Sequence, residues 1–220
     1  CTYGVVIRDD IRNISRLTSL NIFSSISNEL TKPVFVSLTM ANDSFLKSWL
    51  REENDSPKQI AELQDYLNGL KRKYDYSSVF LVSAKTNIYY HYNGINKVVS
   101  RDDSHDVWYY NFVVSGIPHR LEVDTDEMVR NELTVFVNCR IEDDHGELMG
   151  VVGVGVKMRE LQQILASFEL DFDLTAFLVN REGVVQVHTS DAMIANATID
   201  DLLPVSEYRK KIFTKSRVES

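Results

Sequence analysis

Carboxylates crowd one short stretch, "LEVDTDE" at 121–127. On a strand, Glu122 and Asp124 face one way, and Asp126 follows them if the strand persists. Carboxylates paired in this manner could bind a cationic ligand group, or serve as general acid and base. A solvated strand end suits Glu122 and Glu127 at least as well. Shortly upstream, "DVWYYNFVVSG" (106–116) packs Trp108, Tyr109, Tyr110 and Phe112 into five positions behind the polar run "SRDDSHD". Trp and Tyr offer large apolar area and one N–H or O–H to orient a polar ligand, which suits a pocket wall. The competing reading is a core helix packed on a sheet. That reading suits Phe112 and Val113, whereas Trp108 and Tyr109 suit the pocket.

Three further motifs could do chemistry. In "GVVGVGV" (150–156), Gly153 and Gly155 project to one face of a strand and Val152, Val154 and Val156 to the other. Glycine at such positions marks close approach by a ligand or another backbone. No phosphate-binding pattern, G-x-x-x-x-G-K or G-x-G-x-x-G, occurs in the chain. Asn138 shares a face with Phe136 and could point into a common cavity, and a satisfied buried amide fits it equally. Asp102, Asp103, His105 and Asp106 in "RDDSHD" have metal-ligand chemistry, but the glycine and closing Glu of a calcium loop are missing, and a solvated loop is the better reading. No metal and no cofactor is expected. Cys1 and Cys139 make neither a disulfide framework nor a zinc pattern; Cys139 reads as a small buried hydrophobe. Neither a nucleophile elbow nor an activated cysteine is evident, and no catalytic residue is assigned.

The elements that must position these residues follow from periodicity. Apolar positions from Val5 to about Leu30 recur at helical spacing and predict one long amphipathic helix, with a break or kink at Pro33. Helices over about 34–50 and 57–73 follow, the second started by "NDSPKQ". Past Tyr76, "SVFLVS" and "NIYYHYN" read as a hairpin, "HRLEVD" as a third strand, "LTVFVNCRI" as a fourth with clean alternation, and "LMGVVGVGVKM" as a fifth. Helices followed by an antiparallel sheet make an α+β module. A helix at "RELQQILASF" leads to another hairpin, with Gly183 in its turn.

The chain then repeats itself. "FLVSAKTNIYYH" from Phe80 and "FLVNREGVVQVH" from Phe177 both open Phe-Leu-Val and both reach His at the twelfth position (His91 and His188), 97 residues apart. A duplicated module is the reading. "DDLLPVSEYRKKIF" reads as helical, and the second sheet is left with two strands, so the native protein is expected to continue past Ser220. The opening at Cys1 likewise reads as a piece of something larger. A net charge of −8 and a pI near 5.2 argue against a nucleic-acid surface. No apolar run approaches a membrane span.

The order, spacing and type of "VFLVSAKTNIYYHYNG", "DVWYYNF", "LEVDTDE", "VFVNCRIEDDHGELMGVVGVGVKMREL" and "FLVNREGVVQVH" resemble the double Cache family. These are tandem PAS-like extracytoplasmic sensor domains of bacterial transmembrane receptors. The resemblance implies a long N-terminal helix (1–34), a membrane-distal ligand-binding module (35–158), a linker helix (159–169) and the start of a membrane-proximal module (170–220). It implies a homodimer through the N-terminal helix, a periplasmic location, and membrane attachment by flanking helices outside this chain. The output domain would be a histidine kinase or diguanylate cyclase, with a chemoreceptor as the alternative; a module that only dimerises is the reading from a different class. Expected ligand contacts are Trp108, Tyr109, Asp124, Asp126, Asn138, Tyr90 and Gly155. Two anchors of the amino-acid-binding branch are absent: Asp106 stands where an Arg clamps the ligand carboxylate, and Gly155 where an Asp holds the amine. A polar or cationic ligand, not a standard amino acid, is therefore expected.

Overall fold

A computed structural model describes residues 3–54, 56–129, 132–180 and 182–202, with side chains from Leu17 onward. Helix α1 runs Tyr3–Ala41 with Pro33 inside it, so of the break or kink expected at Pro33 the break does not occur. Proline removes its own N–H bond and crowds the carbonyl four residues back, and here the helix continues past it with the ring buried. The helix ends instead at Asn42 and Asp43. Asn42 Nδ2 donates to Leu38 O at 2.9 Å, and Asp43 caps α2 (Ser44–Arg51) by accepting from Phe45 N. Ser56 and Pro57 start α3 (Pro57–Tyr74), and Trp49 Nε1 donates to Gln59 O at 2.9 Å to hold the two short helices together. Among the described residues no helix is long and apolar enough to cross a membrane.

The chain divides into two compact units, Ile26–Met158, and Cys1–Ser25 with Arg159–Ser220. The first is built on an antiparallel sheet of six strands in the order β3-β2-β1-β6-β5-β4. The strands are β1 (Ser78–Ser83), β2 (Ile88–His91), β3 (Gly94–Val98), β4 (His119–Asp126), β5 (Glu132–Glu142) and β6 (Leu148–Lys157). The sequence reading has five strands and lacks β3, which follows β2 after a two-residue turn; Gly94 at φ 135° is its first residue. One face of the sheet packs on the helices: Leu46, Trp49, Leu50, Leu63 and Leu67 meet Leu81, Val137, Cys139, Ile141, Val152 and Val154. The other face carries Phe80, Val82, Tyr89 and Val151, which pack with Tyr109 and Phe112 of helix α4 (Val107–Ser115).

The second unit holds α5 from Arg159 on (the helix is Met158–Phe172), the hairpin β7 (Phe177–Val179) and β8 (Val185–His188), and the single turn α6 (Ile199–Leu202). Phe177 pairs with His188 and Leu178 with Val187, as Phe80 pairs with His91 and Leu81 with Tyr90. The repeated motif thus opens in the same pairing at both places, after which a bulge in the second hairpin puts Val179 opposite Val185. Leu161, Leu165, Val185, Val187 and Ile194 are buried. Of the helix expected at "DDLLPVSEYRKKIF", the part from Leu203 lies outside the described residues.

Candidate ligand-binding site

Strand parity decides which side chains can meet. Phe80 lies opposite Gly153, which in turn lies opposite Asn138, and Gly155 lies opposite both Phe136 and Ser78. Glu122 is opposite Phe136. Opposed residues of an antiparallel ladder share a face, so Phe80, Phe136, Asn138 and Glu122 stand on the face away from α2 and α3. Gly153 makes room there. A Cβ on it would come within 2.1 Å of Val137 O and 2.9 Å of the Phe80 ring.

On that face is a cavity of about 40 Å³. That is room for roughly three water molecules. Its apolar wall is Phe80, Tyr89, Trp108 and Phe136. Phe80 is the hub, edge-on to Tyr89 at 5.4 Å, to Trp108 at 5.8 Å and to Phe136 at 6.1 Å between centroids. Its polar lining is Asn96, His105, Glu122, Asp124, Thr125, Asp126, Glu127 and Asn138, with no Lys or Arg. The roof comes from an unexpected quarter. β3 and β4 are opposite edges of the sheet, yet Lys97 Nζ on β3 lies 2.8 Å from Glu127 Oε2, just beyond β4. The β4–β5 hairpin therefore curls across the sheet face. The same ammonium reaches Asp103 at 3.1 Å and Asp106 at 2.9 Å. Burial alone would lower the Lys97 pKa, but its bonds to Glu127, Asp106 and Asp103 outweigh that and raise it.

Two buried polar side chains in the lining have few partners. Asn138, 1 % exposed, donates Nδ2 to Glu122 Oε2 at 3.0 Å. A carboxylate only accepts, which fixes the amide orientation; Oδ1 is left with no hydrogen bond. Asp126, 3 % exposed, accepts from Met128 N at 3.0 Å on Oδ1. The Ser78 hydroxyl beside this carboxyl favours its charged form by hydrogen bonding to it. Burial raises the pKa of both Asp126 and Glu122. The Tyr89 phenol is likewise raised, by burial first and then by Asp126 and Glu127.

Of the seven expected contacts, Trp108, Asp124, Asp126 and Asn138 line the cavity. The other three stand elsewhere. Tyr90 is on the opposite face, edge-on to Trp49 at 5.0 Å and donating to Glu53 Oε1 at 2.9 Å. Tyr109 is 3 % exposed and packs in the core under α4. Gly155 faces the right way, but the space a Cβ would enter is filled by Thr134 Cγ2 at 2.7 Å and Ser78 Cβ at 2.9 Å; its close neighbours are the protein's own side chains. The sequence reading missed Phe80, Tyr89, Asn96 and Thr125; it left Glu122 and Glu127 open to a solvated strand end and His105 to a solvated loop, and Glu127 and His105 are exposed at the rim. Hairpin pairing of Phe80 with His91, readable from the "AKT" turn, is the signal that would have selected Tyr89 over Tyr90.

The "RDDSHD" loop organises itself around hydrogen bonds. Asp103 Oδ1 accepts from His105 N at 2.9 Å, and buried Asp106 accepts from Ser100 N at 2.8 Å while pairing with Lys97. Cys139 is buried, and that burial pushes its thiol up to about 12, so it stays protonated and unreactive.

Comparison with known proteins adds the following. A family model described as a Cache domain matches residues 6–218. Among solved structures, the ligand-binding domain of the Pseudomonas aeruginosa amino acid chemoreceptor PctC in complex with GABA aligns at TM-score 0.59 and 18 % identity, covering 89 % of this chain and 81 % of that one. The sensor domain of the Vibrio cholerae histidine kinase DctB aligns at TM-score 0.63 and 15 % identity, covering 83 % and 68 %. The ligand-binding domain of the Pseudomonas fluorescens chemoreceptor CtaA in complex with L-isoleucine aligns at 0.60 and 18 %, covering 90 % and 76 %. At these identities the likeness is one of fold.

Proposed function

The chain belongs to the Cache domain family, and on that premise we propose that it is the extracytoplasmic small-molecule sensing domain of a bacterial transmembrane receptor. The observation that carries this reading is the cavity between the sheet and the curled β4–β5 hairpin. It has an aromatic wall, a carboxylate-rich lining and a buried amide oxygen, Asn138 Oδ1, without a hydrogen bond. A concave site with an apolar wall and convergent polar groups is the usual form of a small-ligand site. Trp108, Asp124, Asp126 and Asn138 are the contacts of this reading, and a polar or cationic ligand fits them. A carboxylate-bearing ligand fits them less well, because the cations beside the lining are already paired, Lys97 with three acidic groups and Arg120 with Glu122 at 3.7 Å.

Signalling requires a two-state element that the ligand biases, and α1 is the candidate. Its Leu17, Leu20 and Phe23 are each more than half exposed, which suits a homodimer through this helix, with membrane attachment by segments flanking the domain. For the output, a histidine kinase or diguanylate cyclase remains our reading, with a chemoreceptor as the alternative; the structural neighbours include both a kinase and chemoreceptors. No nucleic-acid partner is proposed for so acidic a chain.

A thermal-shift screen of small metabolites tests the proposal. A binder of the native state raises Tm by mass action, and Trp108→Ala should abolish the rise. Absence of any stabilising compound across amines, amino acids, carboxylates and sugars would favour a module that only dimerises.

A further inference from the structure

The rim of the cavity is built from two sides. Asn96 of β3 and His105 of the loop before α4 line one, and Thr125 and Glu127 at the end of β4 line the other. His105, Thr125 and Glu127 are exposed, while Trp108 stands inside as part of the wall. The charges at this rim are unevenly tied. Lys97, Asp103, His105 and Asp106 belong to one short stretch of chain and hold one another. Lys97 pairs with both aspartates, Asp103 accepts from His105 N, and buried Asp106 also accepts from Ser100 N. Glu127 alone of the cluster comes from the far side, meeting Lys97 Nζ at 2.8 Å and His105 Nδ1 at 3.6 Å.

Three carboxylates thus share one ammonium, and Asp124 and Asp126 line the same cavity. Glu127 is the one of the three that can leave without stranding a buried charge, since Asp106 is 1 % exposed and Asp103 is fixed by its own loop. Its departure relieves repulsion among the acids, and an ion pair this exposed holds weakly. His105 changes that balance. An imidazole gains its charge between pH 8 and pH 5, and this one gains it beside Glu127, where acids outnumber cations. Resting on the sensing role proposed above for what the cavity receives, we propose that the Lys97–Glu127–His105 contact is a latch across the cavity mouth, opened by release of Glu127 and tightened when His105 takes up a proton. Lys97 stays charged throughout, its bonds to the three acids outweighing its burial, and the Tyr89 phenol stays neutral. Glu122 and Asp126, raised by burial, are common to wild type and a His105 variant, so comparing the two isolates the imidazole.

Trp108 reports the opening without any ligand. Acrylamide quenching of its fluorescence is measured on the whole chain, and a Trp108→Phe variant supplies the contribution of buried Trp49 to be subtracted. At pH 8 and low salt, Glu127→Gln should raise the Trp108 quenching constant roughly two- to fivefold, the range an exposed ion pair allows, with Tm nearly unchanged. Raising NaCl from about 0.05 M to about 0.5 M should raise it in wild type and not in that variant. Lowering the pH from 8 to 6 should reduce it in wild type and leave it level in His105→Gln. Both substituted residues are exposed at the rim, so neither change threatens the fold. Equal quenching in wild type and Glu127→Gln overturns the latch, as does a pH response that survives in His105→Gln. The sensing role is judged separately, by the thermal-shift screen. If a compound raises Tm and quenching does not respond, the latch is wrong and sensing stands. If quenching responds as expected and no compound raises Tm, the latch stands and sensing falls.

Discussion

His91 is a buried imidazole whose surroundings settle its proton. It has no exposure, its Nε2 lies 3.0 Å from Ser78 Oγ, and Nδ1 faces the Asn93 N–H at 3.5 Å. The ring is therefore neutral with its hydrogen on Nε2, donating to Ser78 and leaving that hydroxyl's own hydrogen free to turn toward Asp126. Burial, with Lys71 nearby adding repulsion, lowers its pKa from 6.5 to about 4. Between those two values the unfolded chain binds a proton that the folded one refuses, so stability falls as pH drops from 6.5 to about 4, and is flat above. Urea denaturation of wild type and His91→Gln at pH 7 and pH 4 should show the wild type losing on the order of 3 kcal/mol more than the variant. Comparing the two cancels the raised carboxyls Asp126 and Glu122, which act in the opposite direction. Equal losses would mean His91 is protonated in the fold. Residue types at this scale were legible in the sequence; facing was less so. Tyr89 and Tyr90 are adjacent and alike, and one residue of parity sends the first to the cavity and the second to Glu53. Gly153 and Gly155 present the reverse case, where facing was evident and the neighbour was not.

Element boundaries followed periodicity wherever the core imposed one. β5 and β6 were readable because Val135, Val137, Cys139 and Ile141 and then Val152, Val154 and Val156 alternate against the helices. β3 was not, because "GINKV" is an edge strand with no fully buried residue and so has no hydrophobic alternation to display. Its chief contribution is Lys97, whose partners lie up to 30 positions away in sequence and which local spacing cannot reveal. Removing that ammonium should loosen β3, the loop before α4 and the tip of the β4–β5 hairpin together. Lys97→Met leaves Asp106, 1 % exposed, facing Asp103 and Glu127 without compensation. Since Lys97 itself keeps some solvent contact, the cost should be about 2–3 kcal/mol, below that of a fully buried pair. Its sign with pH is distinctive. Protonating the stranded carboxyls relieves the repulsion, so the deficit against wild type should shrink between pH 7 and pH 4.5 in chemical denaturation. A deficit independent of pH would assign Lys97 a packing role only.

At the scale of the whole molecule, the two compact units offer unequal frameworks. In the unit of Ile26–Met158, β1, β6 and β5 are each paired on both sides, and their amides can exchange only when most of that unit opens. The described part of the other unit has the two-stranded β7–β8 hairpin, a form with little stability of its own. Native-state hydrogen exchange should find Leu81, Val137, Val152 and Val154 slowest and Phe177–Val179 markedly faster. Ligand sharpens the contrast, because a site lined wholly from the first unit stabilises what must open to expose it. At a ligand concentration of about one hundred times Kd, exchange through global opening of that unit should slow by about a hundredfold. Amides of β7 and β8 should be left nearly unchanged. Equal slowing in both would mean that the units open as one, and the long helix α1, which contributes residues to each, would then transmit ligand occupancy by cooperativity of the fold rather than by a shift between two folded states.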